Sequence, residues 1–241
     1  MCKLQKIRRR YFMYKIYKMI LYFILLVVSC SSNLAHAEES KSETLYQRGN
    51  IYFDQRQYGL AISSFTKAIE LDPGFAKAYN NRGLAYRYKA RNDLALKDYN
   101  KALALDPQYA NAYYNRGHLY TGIGKYDLAI ADYTKAIEFN SQDIDFYYNR
   151  GNAYVLKHEY HLAIPDYTKA IELNPKVTDY YIMRAYVYKA IGENELASAD
   201  ENSAIELQPQ LKFNLGSIEG KKRRTSVPEL PDIMQGLYPS Y

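Results

Sequence analysis

Three side-chain types recur at fixed intervals and could do chemistry. Asn81, Asn115 and Asn149 stand 34 residues apart. A carboxamide offers both a donor and an acceptor, so a row of them can satisfy peptide bonds without reading a ligand's side chains. Arg48, Arg82, Arg116, Arg150 and Arg184 keep the same step, and so do Asp98, Asp132, Asp166 and Asp200, with Ser64 in the first carboxylate's place. Guanidinium and carboxylate at matched positions read as ion pairs between helices, which accounts for the arginines without an anionic ligand. His158 and His161 are three apart with no third ligand at a convincing spacing, so they read as surface histidines. Gly122-Ile123-Gly124 lies in a turn between helices, not after a strand, and so is no phosphate loop. A nucleophile with its base is nowhere apparent. The sequence therefore points to no catalytic residue, no cofactor and no metal.

The elements that position these groups follow from a repeat of 34 residues. Tyr79-Asn-Asn-Arg-Gly83, Tyr113-Tyr-Asn-Arg-Gly117 and Tyr147-Tyr-Asn-Arg-Gly151 share one register, and Leu71-Asp-Pro73, Leu105-Asp-Pro107 and Leu173-Asn-Pro175 share another. Five ungapped units result: 42–75, 76–109, 110–143, 144–177 and 178–211. Tyr113, Gly117 and Tyr120 are separated by four and three, the period of one helical face, and Ala129, Tyr133 and Ala136 repeat it. Each unit is therefore expected to be two amphipathic helices. Gly49, Gly83, Gly117, Gly151 and Ala185 on the first helix face Ala61, Ala95, Ala129, Ala163 and Ala197 on the second, so that the pair crosses closely. Proline after the second helix is expected to stop it.

These residues resemble the tetratricopeptide motif over residues 42–211. The resemblance implies an all-α fold, a right-handed superhelical solenoid of antiparallel helix pairs. The sequence departs from the motif where arginine precedes each Gly, where Ser141 replaces the third proline, and where Glu201 replaces the fifth aromatic. That last change predicts a looser terminal unit. Pro165 is expected to kink, not break, the fourth unit's second helix.

In such solenoids the first helices line a concave groove that holds an extended peptide or a partner helix. The alignment places Tyr46 and Asn50; Asn80, Asn81 and Leu84; Tyr114, Asn115 and His118; Tyr148, Asn149 and Asn152; and Ile182 and Tyr186 on it. The row Asn81, Asn115 and Asn149 is similar to the asparagine ladder of long superhelical members that grip peptide backbones. A chaperone-tail clamp is rejected, because Tyr46, Asn111 and Asn115 stand where its cations would be.

Charge and composition narrow the partner. The chain carries 28 Tyr against 8 Phe and no Trp, an aromatic supply suited to half-buried positions. Of its 32 Lys and Arg, seven lie in residues 1–37 with no acid, leaving 25 cations against all 26 acids in the remainder. Without a basic face on the folded part, nucleic acid is not an expected partner. The cationic stretch ends at Lys18 and is followed by the apolar run Met19–Val28, the layout of an export signal. Ten residues make about 15 Å of helix, roughly half of a hydrocarbon core. Two processing routes stand open: cleavage after Ala35-His36-Ala37, or lipidation of Cys30 in Val27-Val28-Ser29-Cys30, which resembles a lipobox. The expected location is accordingly the periplasm or an envelope membrane, with secretion the lesser alternative. Membrane contact is expected only through that lipid or an uncleaved leader. Both cysteines, Cys2 and Cys30, fall in the leader, so the repeats hold no disulfide.

After the fifth unit, residues 212–241 read as a short capping segment and a tail with the basic run Lys221–Arg224. The expected function is a non-catalytic scaffold binding a protein or peptide partner, an adaptor or assembly factor of the envelope. The alternative is an accessory subunit of an envelope enzyme or glycan-associated complex, with the repeats used for assembly, self-association included.

Overall fold

The computed structural model describes Met19 and residues 40–211. The rest of the leader, with Cys30 and the Ala35-His36-Ala37 site, and residues 212–241 lie outside the described residues. Among those described, no helix is long and apolar enough to cross a membrane.

Helical backbone over residues 40–54 (α1) is followed by α2 (Tyr58–Leu71), α3 (Ala76–Tyr88), α4 (Asn92–Leu105), α5 (Ala110–Gly122), α6 (Tyr126–Phe139), α7 (Ile144–Leu156), α8 (Tyr160–Leu173), α9 (Thr178–Ala190) and α10 (Asn194–Leu207). They form sequential antiparallel pairs. The helices α3, α5, α7 and α9 begin 34 residues apart, and so do α2, α4, α6, α8 and α10.

The chain divides into two units, residues 1–78 and 79–241. In the first, Ala61, Phe65 and Ala68 of α2 are buried. A Cβ on Gly49 would overlap the Phe65 ring, so glycine here makes room for an aromatic. Tyr46 packs beside that ring at 5.8 Å and against Phe75 at 4.9 Å.

In the second unit α4, α6 and α8 each present Ala-Tyr-Ala to their partner helix: Ala95, Tyr99 and Ala102; Ala129, Tyr133 and Ala136; Ala163, Tyr167 and Ala170, all fully buried. The tyrosine ring lies against the glycine of the first helix. A Cβ on Gly117 would stand 3.0 Å from Tyr133 Cε1 and 3.3 Å from the carbonyl of Ala129. Helix α6 packs on both α5 and α7, and α8 on both α7 and α9, so these two second helices are each shared by two repeats.

Two turns punctuate every repeat. Between the paired helices one residue is left-handed: Arg56, Ala90, Gly124, His158 and Gly192, with φ between 55° and 86°. The next amide closes back on a tyrosine carbonyl five residues earlier, as Lys125 does on Tyr120 at 2.8 Å, a Schellman closure. After the second helix the expected stop is proline, yet Ser141 in its place leaves the turn unchanged. The reason is the residue before it. Asp72, Asp106, Asn140 and Asn174 each accept from the amide two residues on, at 2.9–3.2 Å. These side-chain turns hold the corner with or without the ring. Helix α8 runs unbroken through Pro165, which is exposed.

Candidate functional site

The arginines are structural. Arg116 Nε and Nη2 donate to both oxygens of Asp132 at 2.7 Å, and Arg82–Asp98, Arg150–Asp166 and Arg184–Asp200 repeat the fork at 2.7–2.9 Å. The remaining Nη1 reaches the preceding repeat's second helix: Arg116 to Asn100 at 2.7 Å, Arg150 to Thr134 at 3.1 Å and Arg184 to Thr168 at 2.9 Å. One guanidinium thus ties three helices together. Burial lifts Asp132 and Asp166 above the ordinary carboxylate range despite their arginines. Desolvation therefore outweighs attraction at these carboxylates, and the pair's chief value is geometric. In the first repeat Arg48 is exposed, and no ion pair forms on it among the described residues, as expected with Ser64 opposite.

The asparagines behave less uniformly than their spacing suggests. Asn115 Nδ2 donates to Asn80 Oδ1 at 3.0 Å, and Asn80 Nδ2 to Asn81 Oδ1 at 2.9 Å, so three carboxamides form a chain across α3 and α5. Asn81 and Asn115 are half-buried, so neither residue is sealed from solvent. Asn149 is 6% exposed and gives its Nδ2 to the carbonyl of Asp145 at 2.8 Å and to Tyr114 Oη at 3.4 Å. Asn152, at 0%, accepts the hydroxyl of Tyr167 at 2.8 Å. The expectation that Asn80, Asn149, Asn152 and Tyr186 face a ligand is thus corrected by burial: all four are packing groups. The surface line that remains is Asn81, Tyr114, Asn115, His118 and Tyr148, all half-buried, with Tyr46 and Asn50 half-buried in the first unit.

Tyr114 packs tilted on Phe146 at 5.2 Å, and Tyr148 on Tyr180 at 5.2 Å, so each anchors on the next repeat. Arg87 donates to His118 Nδ1. A guanidinium cannot accept, so that nitrogen is unprotonated. Burial first and the Arg87 charge second push His118 down to about 4, so it is neutral at pH 7.

His158 and His161 are exposed, and His158 contacts the Tyr160 hydroxyl at 3.0 Å. No group of three or more His, Cys, Asp or Glu that could hold a metal occurs among the described residues. Sequence reasoning missed a row of leucines. Leu60, Leu94, Leu128, Leu162 and Leu196 occupy the third position of each second helix and are 40–51% exposed. Their spacing of 34 was the available signal. Arg87 and Tyr180, which do not repeat, gave none.

A family model described as TPR repeat matches residues 49–89, 83–124 and 117–158, and models described as tetratricopeptide repeat match 144–177 and 178–211. No curated protein matches the chain. Among solved structures, a crystal structure of MamA protein is 24% identical, with TM-score 0.63 over 71% of this chain and 94% of the other. YrrB, described as a TPR protein with an unusual peptide-binding site, is 23% identical, with TM-score 0.62 over 73% and 90%. MamA from Desulfovibrio magneticus is 18% identical, with TM-score 0.65 over 70% and 96%. At these identities the likeness is one of fold. With helix pairs in one register, an arginine fork within each of four repeats and family matches that run from residue 49 to 211, the chain belongs to the tetratricopeptide repeat family, whose repeats are scaffolds for binding proteins or peptides.

Proposed function

We propose that the protein is a non-catalytic scaffold holding an extended segment of a protein partner along its first helices, as an adaptor or assembly factor of the cell envelope. The observation that carries this reading is the half-buried line Asn81, Tyr114, Asn115, His118 and Tyr148. Carboxamides there can meet a backbone, and tyrosines supply rigid amphipathic anchors. The peptide-binding description of YrrB is compatible with it. Comparing partner recovery by wild type and by an Asn81→Ala/Asn115→Ala variant tests it; equal recovery removes the asparagines from the binding line. The envelope assignment rests on the cationic leader and apolar run alone. Mass spectrometry of the mature N-terminus distinguishes lipidated Cys30 from free Glu38, and an intact Met1 defeats both.

A second reading has its own support. The exposed leucines Leu94, Leu128, Leu162 and Leu196 favour a role in assembly, with further copies or as an accessory subunit of an envelope enzyme or glycan-associated complex. Sedimentation of Leu128→Lys/Leu162→Lys against wild type tests it, since identical profiles leave self-assembly through that row without support.

A further inference from the structure

We propose that the wall from α3 to α9 selects an extended peptide of ordered charge, acidic at the Arg87 end and basic at the Asp143–Asp145 end. This rests on the peptide reading above and adds the chemistry of the partner. A line of contacts, partly buried at Asn149, links the two ends. Arg87 donates to His118, whose ring lies edge-on to Tyr114 at 6.2 Å. Tyr114 Oη accepts from Asn149, which also donates to the carbonyl of Asp145. Asp145 lines an open cavity of about 440 Å³ with Asn140, Gln142, Asp143, Ile144 and Tyr180.

The two ends carry opposite charges that the protein itself does not cancel. Arg87 meets no carboxylate among the described residues, and its partner His118 is neutral. The Lys189 ammonium of α9, by contrast, is paired with Glu201. Beneath the Arg87 end the hydroxyl of Tyr99 is buried without a hydrogen-bond partner. Its counterpart Tyr133 meets Thr121, which holds Arg87's position one repeat later, at 3.2 Å. The Tyr99 hydroxyl is therefore at the level of residue 87 but sealed from solvent, so the Arg87 guanidinium is the donor that a ligand carboxylate would meet there.

At the other end Asp143 and Asp145 have no cationic partner among the described residues. Asp143 caps α7 by accepting from the amide of Asp145 at 3.1 Å. Burial first, and then the charge of Asp143, raise the Asp145 carboxyl above its usual value. Two carboxylates that repel each other beside a tyrosine in an open cup suit a lysine or arginine, by ion pairing and by ring contact.

The test selects a random dodecapeptide phage library against the full chain and against Arg87→Glu and Asp145→Lys variants, each checked for helical content by circular dichroism. Enriched peptides should carry Asp or Glu toward one end and Lys or Arg toward the other, and should bind at least about tenfold tighter than scrambles of the same composition. Arg87→Glu should replace the acidic end with a basic one, and Asp145→Lys the reverse. Enriched peptides without charge order, or variants that select the same sequences as wild type, overturn this inference and leave the groove intact. A library that yields no binder removes the peptide reading and this inference with it.

Discussion

The third and fifth repeats meet at the same crossing with different residues. In the third, Gly117 leaves room for the Tyr133 ring, which is fully buried and whose hydroxyl meets Thr121. In the fifth the ring is absent: Glu201 stands in its place and pairs with Lys189 at the surface, and Ala185 stands where the glycine would be. The two changes go together. Where no ring presses on the first helix a Cβ is accommodated, and the buried Met183 and Val187 of α9 pack on the other side, against Val155, Ala163 and Tyr167 of the fourth repeat. Glycine in this chain is therefore a response to the aromatic, not an independent requirement of the helix pair.

The first repeat offers a second contrast. It keeps the glycine and the ring, as Gly49 and Phe65, but lacks the carboxylate that would receive Arg48. Helix crossing and arginine fork are thus separable devices: both act within one helix pair, and where the fork forms on Arg116, Arg150 and Arg184 the remaining Nη1 also ties that pair to the preceding one.

The largest effect should come from removing the ring. Tyr133→Ala is expected to cost about 3–5 kcal/mol in urea unfolding, whereas Glu201→Ala should cost less than about 1 kcal/mol because it breaks only a surface pair. Similar losses from both would erase the contrast between the repeats. Next, Arg116→Leu strands the Asp132 carboxylate. A loss of about 3 kcal/mol is expected, the low end for a broken buried pair because Arg116 is still 19% exposed. Adding Asp132→Ser, which copies the first repeat, should recover most of it. Arg48→Leu should stay within about 0.5 kcal/mol. If Arg48→Leu costs as much as Arg116→Leu, the fork has been misassigned.

Ala129→Leu comes third. It should overfill the crossing and cost about 1–3 kcal/mol, read as a lowered melting temperature; an unchanged melting curve would contradict the register. The last prediction concerns His118, whose effect at neutral pH is nil and appears only on acidification. Its folded pKa of about 4 lies below the unfolded value of about 6.5, so between those limits the unfolded chain takes up a proton that the folded chain does not. Stability should fall as pH drops from 6.5 toward 4, and the slope should flatten in His118→Gln. Parallel pH profiles for the two proteins would show that His118 takes up its proton as readily in the fold as in the unfolded chain.

Much of this architecture was legible in the sequence because a repeat multiplies every signal. Helix starts, the Gly–Ala crossing and the Arg–Asp pairing each recur at one interval, so the register could be read without coordinates. The candidate site was less legible. Asn81, Asn115 and Asn149 look equivalent by spacing, yet Asn149 is buried and bonded inward while the other two remain half-buried. The partners differ: Asn149 meets the ring of Tyr114, itself packed on Phe146, where Asn115 meets the shorter Asn80 at the same position one repeat earlier. Ser141 likewise looked like a lost helix stop, until the side-chain turn at Asn140 proved to hold the corner.

Periodicity in the chain alone determined the helix pairs, their close crossing and the ion-pair partners, since these depend on residues that meet within one 34-residue unit. Only the tertiary structure decided which polar groups are buried, that Arg116, Arg150 and Arg184 also grip the preceding repeat, and that a line of contacts links Arg87 to Asn149 beside Asp145. Those facts arise where successive units pack together, and there a side chain's surroundings come from residues of another repeat that its own local pattern does not specify.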